Sequence, residues 1–217
     1  VKLLFPSPRN IAKSRAATRL LVVVLAVAAG VAAQEVWRAT SDWDEKLSLD
    51  GVSNFGRVNS RLYRGAQPTP VGYAELRRLG IDIIVKLNVG HEGFTAEKDQ
   101  VESLGMRLVN LPWNAQHEPA HEQVVAFLTL LRDNPDKTIF VHCYRGADRT
   151  GVMIALYRIT FDHWTTDQAI EEMEAFRYRY LFLPHLQHFV EAFPAELSSD
   201  PALQALEPAA ILRIDPL

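Results

Sequence analysis

The segment TIFVHCYRGADRTGVMIALYRI, Thr138 to Ile159, constrains the fold more than any other stretch of the chain. A short β-branched and aromatic run meets a glycine-containing loop and then a long apolar stretch. That order reads as strand, tight loop and helix, with both regular elements buried. A helix N-terminus carries unpaired N–H groups and about half a positive charge, so the loop CYRGAD presents backbone donors to an anion. Gly146 permits the backbone turn that such a cradle needs. Arg149 closes the loop with a planar fork that fits two phosphate oxygens, which lysine could not do. Cys143 is the only cysteine of the 217 residues and stands at the strand end. A lone cysteine is ordinarily buried packing, but this positive field favours its thiolate and makes it a nucleophile.

The flanking sequence supplies the rest of a sheet. LYRGA (62–66), IDIIVKLN (81–88) and MRLVNLP (106–112) read as further strands. Helices are expected over 71–80, ending at Gly80; over 95–104, capped by Thr95; over 120–132; over 150–159; over 165–176, where Thr165 and Gln168 form a capping box; and over 182–193. Strands alternating with helices predict an α/β fold: a central, mostly parallel sheet of four or five strands flanked by helices, with right-handed crossovers. Ligands of such sheets bind at the carboxyl ends of the strands, where Cys143 falls.

Residues 1–33 read as a signal peptide or N-terminal signal anchor, because Lys2, Arg9, Lys13, Arg15 and Arg19 precede the apolar run Leu20 to Ala33 and the first acidic residue is Glu35. Either version predicts export across the inner membrane, to the periplasm or to an anchored position facing it, with the membrane touched only through this segment where it is uncleaved. Residues 34–53 read as a polar connector, with turn chemistry continuing to residue 60. A catalytic domain is expected over 54–193, and 194–217 as a mobile or loosely docked tail. All 26 acidic residues follow the apolar run, so the remainder is more acidic than the net charge of −3 suggests. That balance argues against nucleic acid as a partner and makes any anion site local.

The stretch HCYRGADRTG resembles the H-C-x5-R-[ST] signature of protein tyrosine and dual-specificity phosphatases. NFGRVNSRLYRGAQP, NLP, RTGVMIALYRI and HWTTDQAIEEM are similar to the compact bacterial members of the dual-specificity group, so the resemblance runs from about Asn54 to Met173. It implies hydrolysis of phosphomonoesters through a cysteinyl-phosphate, with no metal or other cofactor. The substrate it implies is a phosphorylated protein, phosphotyrosine first, or a small phosphomonoester. Carried over by position, Cys143 attacks phosphorus. Arg149 and the amides of Tyr144, Arg145, Gly146, Ala147, Asp148 and Arg149 hold the phosphate oxygens. Thr150 offers its hydroxyl to the sulfur, and His142 steadies the loop.

The chain departs from most relatives at the general acid. PWNAQHEP (112–119) has no aspartate, and Gln116 stands where one is expected. Asp148, inside the loop as in C-x4-D-R-T phosphatases, is the first candidate, and Glu118 with His117 beside it the second. The missing aspartate keeps a second function in view, a loop that binds phosphorylated partners without turnover. Phosphoinositide phosphatases commonly carry lysines where Tyr144 and Ala147 stand, which favours a single phosphate on a side chain, although Arg145 leaves room for a more highly charged substrate. HEPAH, His117 to His121, matches the H-E-x-x-H pattern of zinc hydrolases, but Pro119 belongs only in a first helical turn, which would leave His117 outside the helix. His185 and His188 read as a partly solvated helix face.

Overall fold

The alternation of side chains along the strands decides how the sheet is covered. In the computed structural model, which describes residues 46–89 and 94–206, five strands form one sheet. They are β1 (Gly56–Arg57), β2 (Leu62–Ala66), β3 (Ile83–Lys86), β4 (Arg107–Asn110) and β5 (Ile139–Cys143), in the order β1-β2-β5-β3-β4. Only the β1–β2 pair is antiparallel; β2, β5, β3 and β4 run parallel. Ile83, Val85, Ile139 and Val141 face one apolar cluster, while Ile84 and Phe140 face the other. Each central strand is thus buried on both sides, as a parallel sheet requires.

The face of Ile84 and Phe140 is covered by α1 (Pro70–Arg78) and α2 (Phe94–Ser103), which contribute Tyr73, Leu76 and Val101. The other face carries α3 (His121–Asp133), α4 (Asp148–Phe161), α5 (Thr166–Ala175), α6 (Pro184–Ser199) and α7 (Pro201–Gln204). Helix α4 is buried along nearly its whole length, which explains a sequence without a polar stripe. Caps follow the chemistry of the residues: Thr69 Oγ1 accepts from the N–H of Gly72, and Thr165 and Gln168 exchange the two bonds of a capping box.

Three boundaries differ from the sequence reading. Residues 46–53 are not merely a connector: Lys46 bridges Gly56, Ala66 N–H donates to Ser53 O (2.8 Å), and Val52 is buried in the α1–α2 core. The turn residues from Gly51 to Asn59 fold three apolar side chains, Val52, Phe55 and Val58, into the interior. The tail is docked through Leu206. Helix α6 runs on past Pro194, and Leu197, Leu203 and Leu206 are buried; this apolar burial outweighs the roughly 3 kcal/mol that an internal proline costs. Helix α4 begins at Asp148 rather than Thr150, so the loop is shorter and Asp148 lies in the first turn. The expected leader or anchor falls outside the described residues.

Candidate active site

Strand β5 delivers Cys143 to the carboxyl edge of the sheet, pinned by parallel pairing to Ala66 on β2. The chain then turns through Tyr144–Ala147 into α4. Gly146 adopts φ +65°, and a Cβ there would stand 2.2 Å from Gly65 C and 2.4 Å from Ala66 N. No other residue type meets both the left-handed backbone and the contact with β2. The side-chain amide of Asn54 ties the loop down from behind, donating to Gly146 O at 3.0 Å and to Phe176 O, just past α5, at 2.9 Å.

A cavity of about 280 Å³ opens over the loop, lined by Cys143, Tyr144, Arg145, Asp148, Arg149, Arg179 and Ala115. Cys143 is 2% exposed. Arg149 is held by one nitrogen, Nη1, on the carbonyls of Trp113 (3.1 Å) and Leu87 (3.4 Å), so the rest of its fork can meet a ligand. Thr150 is fully buried, and its hydroxyl has no hydrogen-bond partner among the described residues.

Behind the loop, His142 Nε2 lies 2.9 Å from Glu97 Oε1, a close contact more than an aligned hydrogen bond. Glu97 also accepts from Lys86 Nζ, and Gln67 Nε2 donates to Tyr73 Oη at 2.6 Å. Burial by itself would raise the Glu97 carboxyl, but His142, Lys86 and Tyr73 outweigh it and hold it at about 2. Burial lowers His142 against the opposing pull of Glu97, so the imidazole beneath the loop is neutral.

Arg64 is another group that the sequence did not single out. It is fully buried on β2, its guanidinium 3.9 Å above the Phe176 ring and 3.8 Å from Glu172 Oε1. Burial lowers it to about 10, against the opposing influence of Glu172 and Cys143, so it stays protonated below the loop.

The two candidate acids are placed very differently. Asp148 is 4% exposed and faces the cavity. Both of its oxygens accept from Arg179: Nη2 at 2.8 Å, Nε at 3.0 Å and the backbone N–H at 3.1 Å. Gln116, His117 and Glu118 are exposed and none lines the cavity; only Ala115 of that loop does, its carbonyl 3.0 Å from His185 Nε2. The zinc pairing fails on geometry. His117 sits in the turn before α3, and His121, the first residue of α3, pairs instead with Asp200 at 3.1 Å. Glu97, Asn54, Arg64 and Arg179 carried no local sequence signal, because each acts across 31 residues or more, or from the interior of a helix or strand.

A family model described as "DSP-PTPase phosphatase fused to NAD+ Kinase" matches residues 42–180, and the chain belongs to that family. It is 29% identical over 129 residues to the dual specificity protein phosphatase TpbA of Pseudomonas aeruginosa (strain UCBPP-PA14), which is 58% of this chain and 56% of that protein. To dual specificity protein phosphatase 26 of Rattus norvegicus it is 30% identical over 122 residues, 54% of this chain and 56% of that one. The chain thus spans a little over half the length of these curated relatives. A crystal structure of P. aeruginosa TpbA shares the fold with TM-score 0.63 at 22% identity, covering 78% of this chain and 99% of that one. The core catalytic domain of the PP-IP phosphatase SIW14 from S. cerevisiae does so with TM-score 0.57 at 21% identity, covering 72% and 98%.

Proposed function

We propose that this DSP-PTPase family member hydrolyses phosphomonoesters on protein side chains, phosphotyrosine first, through a cysteinyl-phosphate intermediate. The observation that carries the reading is the shared cavity: a nucleophilic sulfur, a guanidinium with free donors and a helix N-terminus converge on one space large enough for a phosphate. Cys143 Sγ attacks phosphorus as the bond to the leaving oxygen breaks, while the loop N–H groups and Arg149 hold the three equatorial oxygens. Water then attacks the phosphocysteine, phosphate departs and the thiolate is regenerated. A relative's crystal structure, that of P. aeruginosa TpbA, is a complex with pTyr, which supports phosphotyrosine as the first substrate to try.

For the acid we favour Asp148, since it lines the cavity and the alternatives do not. Its clamp by Arg179 means that an incoming phosphate must draw this arginine away before Asp148 can carry a proton to the leaving oxygen. The same clamp, together with the absence of an aspartate from residues 112–119, favours the second reading, a loop that binds phosphorylated partners without turnover. Hydrolysis of an aryl phosphate in EDTA decides the matter. Wild type should turn over and Cys143→Ser should not; activity that needs metal, or that survives in the variant, overturns the proposal. We also infer export of the domain, on the strength of the basic flank and apolar run in residues 1–33.

A further inference from the structure

Strand β2 carries a charge into the core beneath the nucleophile. Side chains two apart on a strand share a face, and Leu62, Val141 and Cys143 all belong to the apolar cluster on the α3–α7 side. Arg64 follows Leu62 in that alternation and is paired in register with Val141, so it projects to the same side as Cys143. One strand across and two residues along, the Cα atoms of Arg64 and Cys143 are roughly 8 Å apart. The guanidinium ends against the first turn of α4: Nη2 stands 3.7 Å from where a Cβ on Gly151 would be, and the ion rests on the Phe176 ring. The cation therefore lies under the helix turn that closes the anion cradle.

The charges around Arg64 do not balance within the ion pairs of the core. Glu172, the carboxylate beside it, is 3.8 Å from Nη1 but accepts hydrogen bonds on both oxygens from Arg158, each at 3.2 Å. Asp162 meets Arg158 from the exposed end of α4. None of the three guanidinium nitrogens of Arg64 has a hydrogen-bond partner among the described residues. Burying an ion is costly unless a countercharge meets it, and an apolar side chain of similar volume ordinarily serves a core position as well or better. Two buried guanidiniums thus share one buried carboxylate. Glu172 and Cys143 favour the charged form of Arg64, while burial and Arg158 oppose it.

The other charged groups near the sulfur are placed differently. Arg145, Asp148, Arg149 and Arg179 line the cavity above it, where Asp148 is taken up by Arg179. His142 stacks on Phe140 on the opposite face of the sheet, neutral, with Glu97 and Lys86 paired behind it. Arg64 alone of these arginines is fully buried and lies outside the cavity, so its charge acts on the sulfur whether or not a phosphate is bound, and with little screening.

We propose that Arg64 is a positioning residue for the nucleophile: the charge that β2 carries beneath the loop holds Cys143 as the thiolate, separately from the phosphate-binding Arg149. The inference deepens the phosphatase reading above and rests on it for the use of that thiolate.

Cys143 is the only cysteine of the chain, so thiol chemistry reads it alone. The test follows the rate of alkylation by iodoacetamide, and the ultraviolet absorbance of the thiolate, across the acid and neutral range in wild type, Arg64→Met, Arg64→Lys and Glu172→Gln. In Arg64→Met the midpoint of thiolate formation should rise, so that the thiolate fraction below it falls about tenfold, while the plateau rate at high pH is retained. Arg64→Lys should recover most of that loss. Glu172→Gln keeps hydrogen-bonding atoms for Arg158 but removes the anion that offsets Arg64, and should move the midpoint the other way, by about threefold. A wild-type midpoint in Arg64→Met, or a loss of rate by one factor at every pH, overturns the proposal and leaves Arg64 as packing. If Arg64→Met does not fold, Glu172→Gln decides, and an unchanged or raised midpoint there refutes the role. None of these readings needs turnover. Failure of wild type to hydrolyse p-nitrophenyl phosphate therefore refutes the phosphatase reading, while the thiolate titration still decides the role of Arg64.

Discussion

Gly146→Ala is the sharpest probe of how the loop is built. An alanine Cβ at this position would stand 2.2 Å from Gly65 C and 2.4 Å from both Ala66 N and Gly65 O, all of them backbone atoms of β2. Carbon atoms pack at about 3.5 Å, so loop and strand must separate by roughly 1 Å. Strand β2 cannot yield, because Leu62 to Ala66 are paired in register with Ile139 to Cys143; the loop must move. Left-handed φ costs alanine about 1–2 kcal/mol and the forced contact a further 1–3 kcal/mol, a total of roughly 2–5 kcal/mol. A 1 Å displacement of the anion cradle costs about a hundredfold in rate. Gly105 supplies the control: it has φ +75° with nothing within 4 Å of a Cβ, so Gly105→Ala bears the backbone strain alone. The measurement is kcat on an aryl phosphate together with the thermal midpoint of both variants, at about 2–4 °C per kcal/mol for a chain of this size. Gly146→Ala should lose activity about a hundredfold and melt below Gly105→Ala. If the two variants melt together and both keep full activity, the close approach of loop to strand is not what positions the cradle.

The remaining predictions follow from the groups around that loop. Asn54→Gly keeps the left-handed backbone of Asn54 (φ +51°) but removes the amide that holds Gly146 O and Phe176 O, and should cost about 1–2 kcal/mol along with a fall in kcat; unchanged kinetics would separate the amide from the site. Glu97 is depressed from 4.5 to about 2, so its stabilisation, about 3 kcal/mol, is complete above pH 4.5 and is lost as pH falls through about 2. His142 is also depressed, and being a base it too loses stability with acid, below its ordinary value of 6.5. Urea titrations should therefore show falling stability from pH 6 to pH 3, and a flat profile would contradict the network. If Asp148 is the acid, Asp148→Asn removes the basic limb of the pH–rate profile while Glu118→Gln leaves it; the reverse moves the role to Glu118. For export, a reporter fused to residues 1–45 should be active only outside the cytoplasm.

The sequence alone determined what local chemistry determines. The run Thr138–Ile159 specified strand, turn and helix, and with them the site of Cys143, Gly146 and Arg149, because a nucleophile, a left-handed turn and a helix N-terminus must be contiguous to make an anion cradle. Apolar runs and caps fixed the parallel α/β architecture in the same way. Tertiary structure decided everything that acts at a distance. Asn54 read as turn chemistry until Gly146 O and Phe176 O were found within reach of its amide. Leu197, Leu203 and Leu206 read as a loose tail because their partners lie on other elements of the core. Asp148 was legible as a loop carboxylate, but not its clamp by Arg179, which comes from 31 residues further along. Nor did the letters of FRYRY distinguish Arg179, turned onto Asp148, from Arg177, turned into a separate cavity. The two arginines are separated by one residue, and the left-handed backbone at Arg177 lies between the side chains that border different cavities.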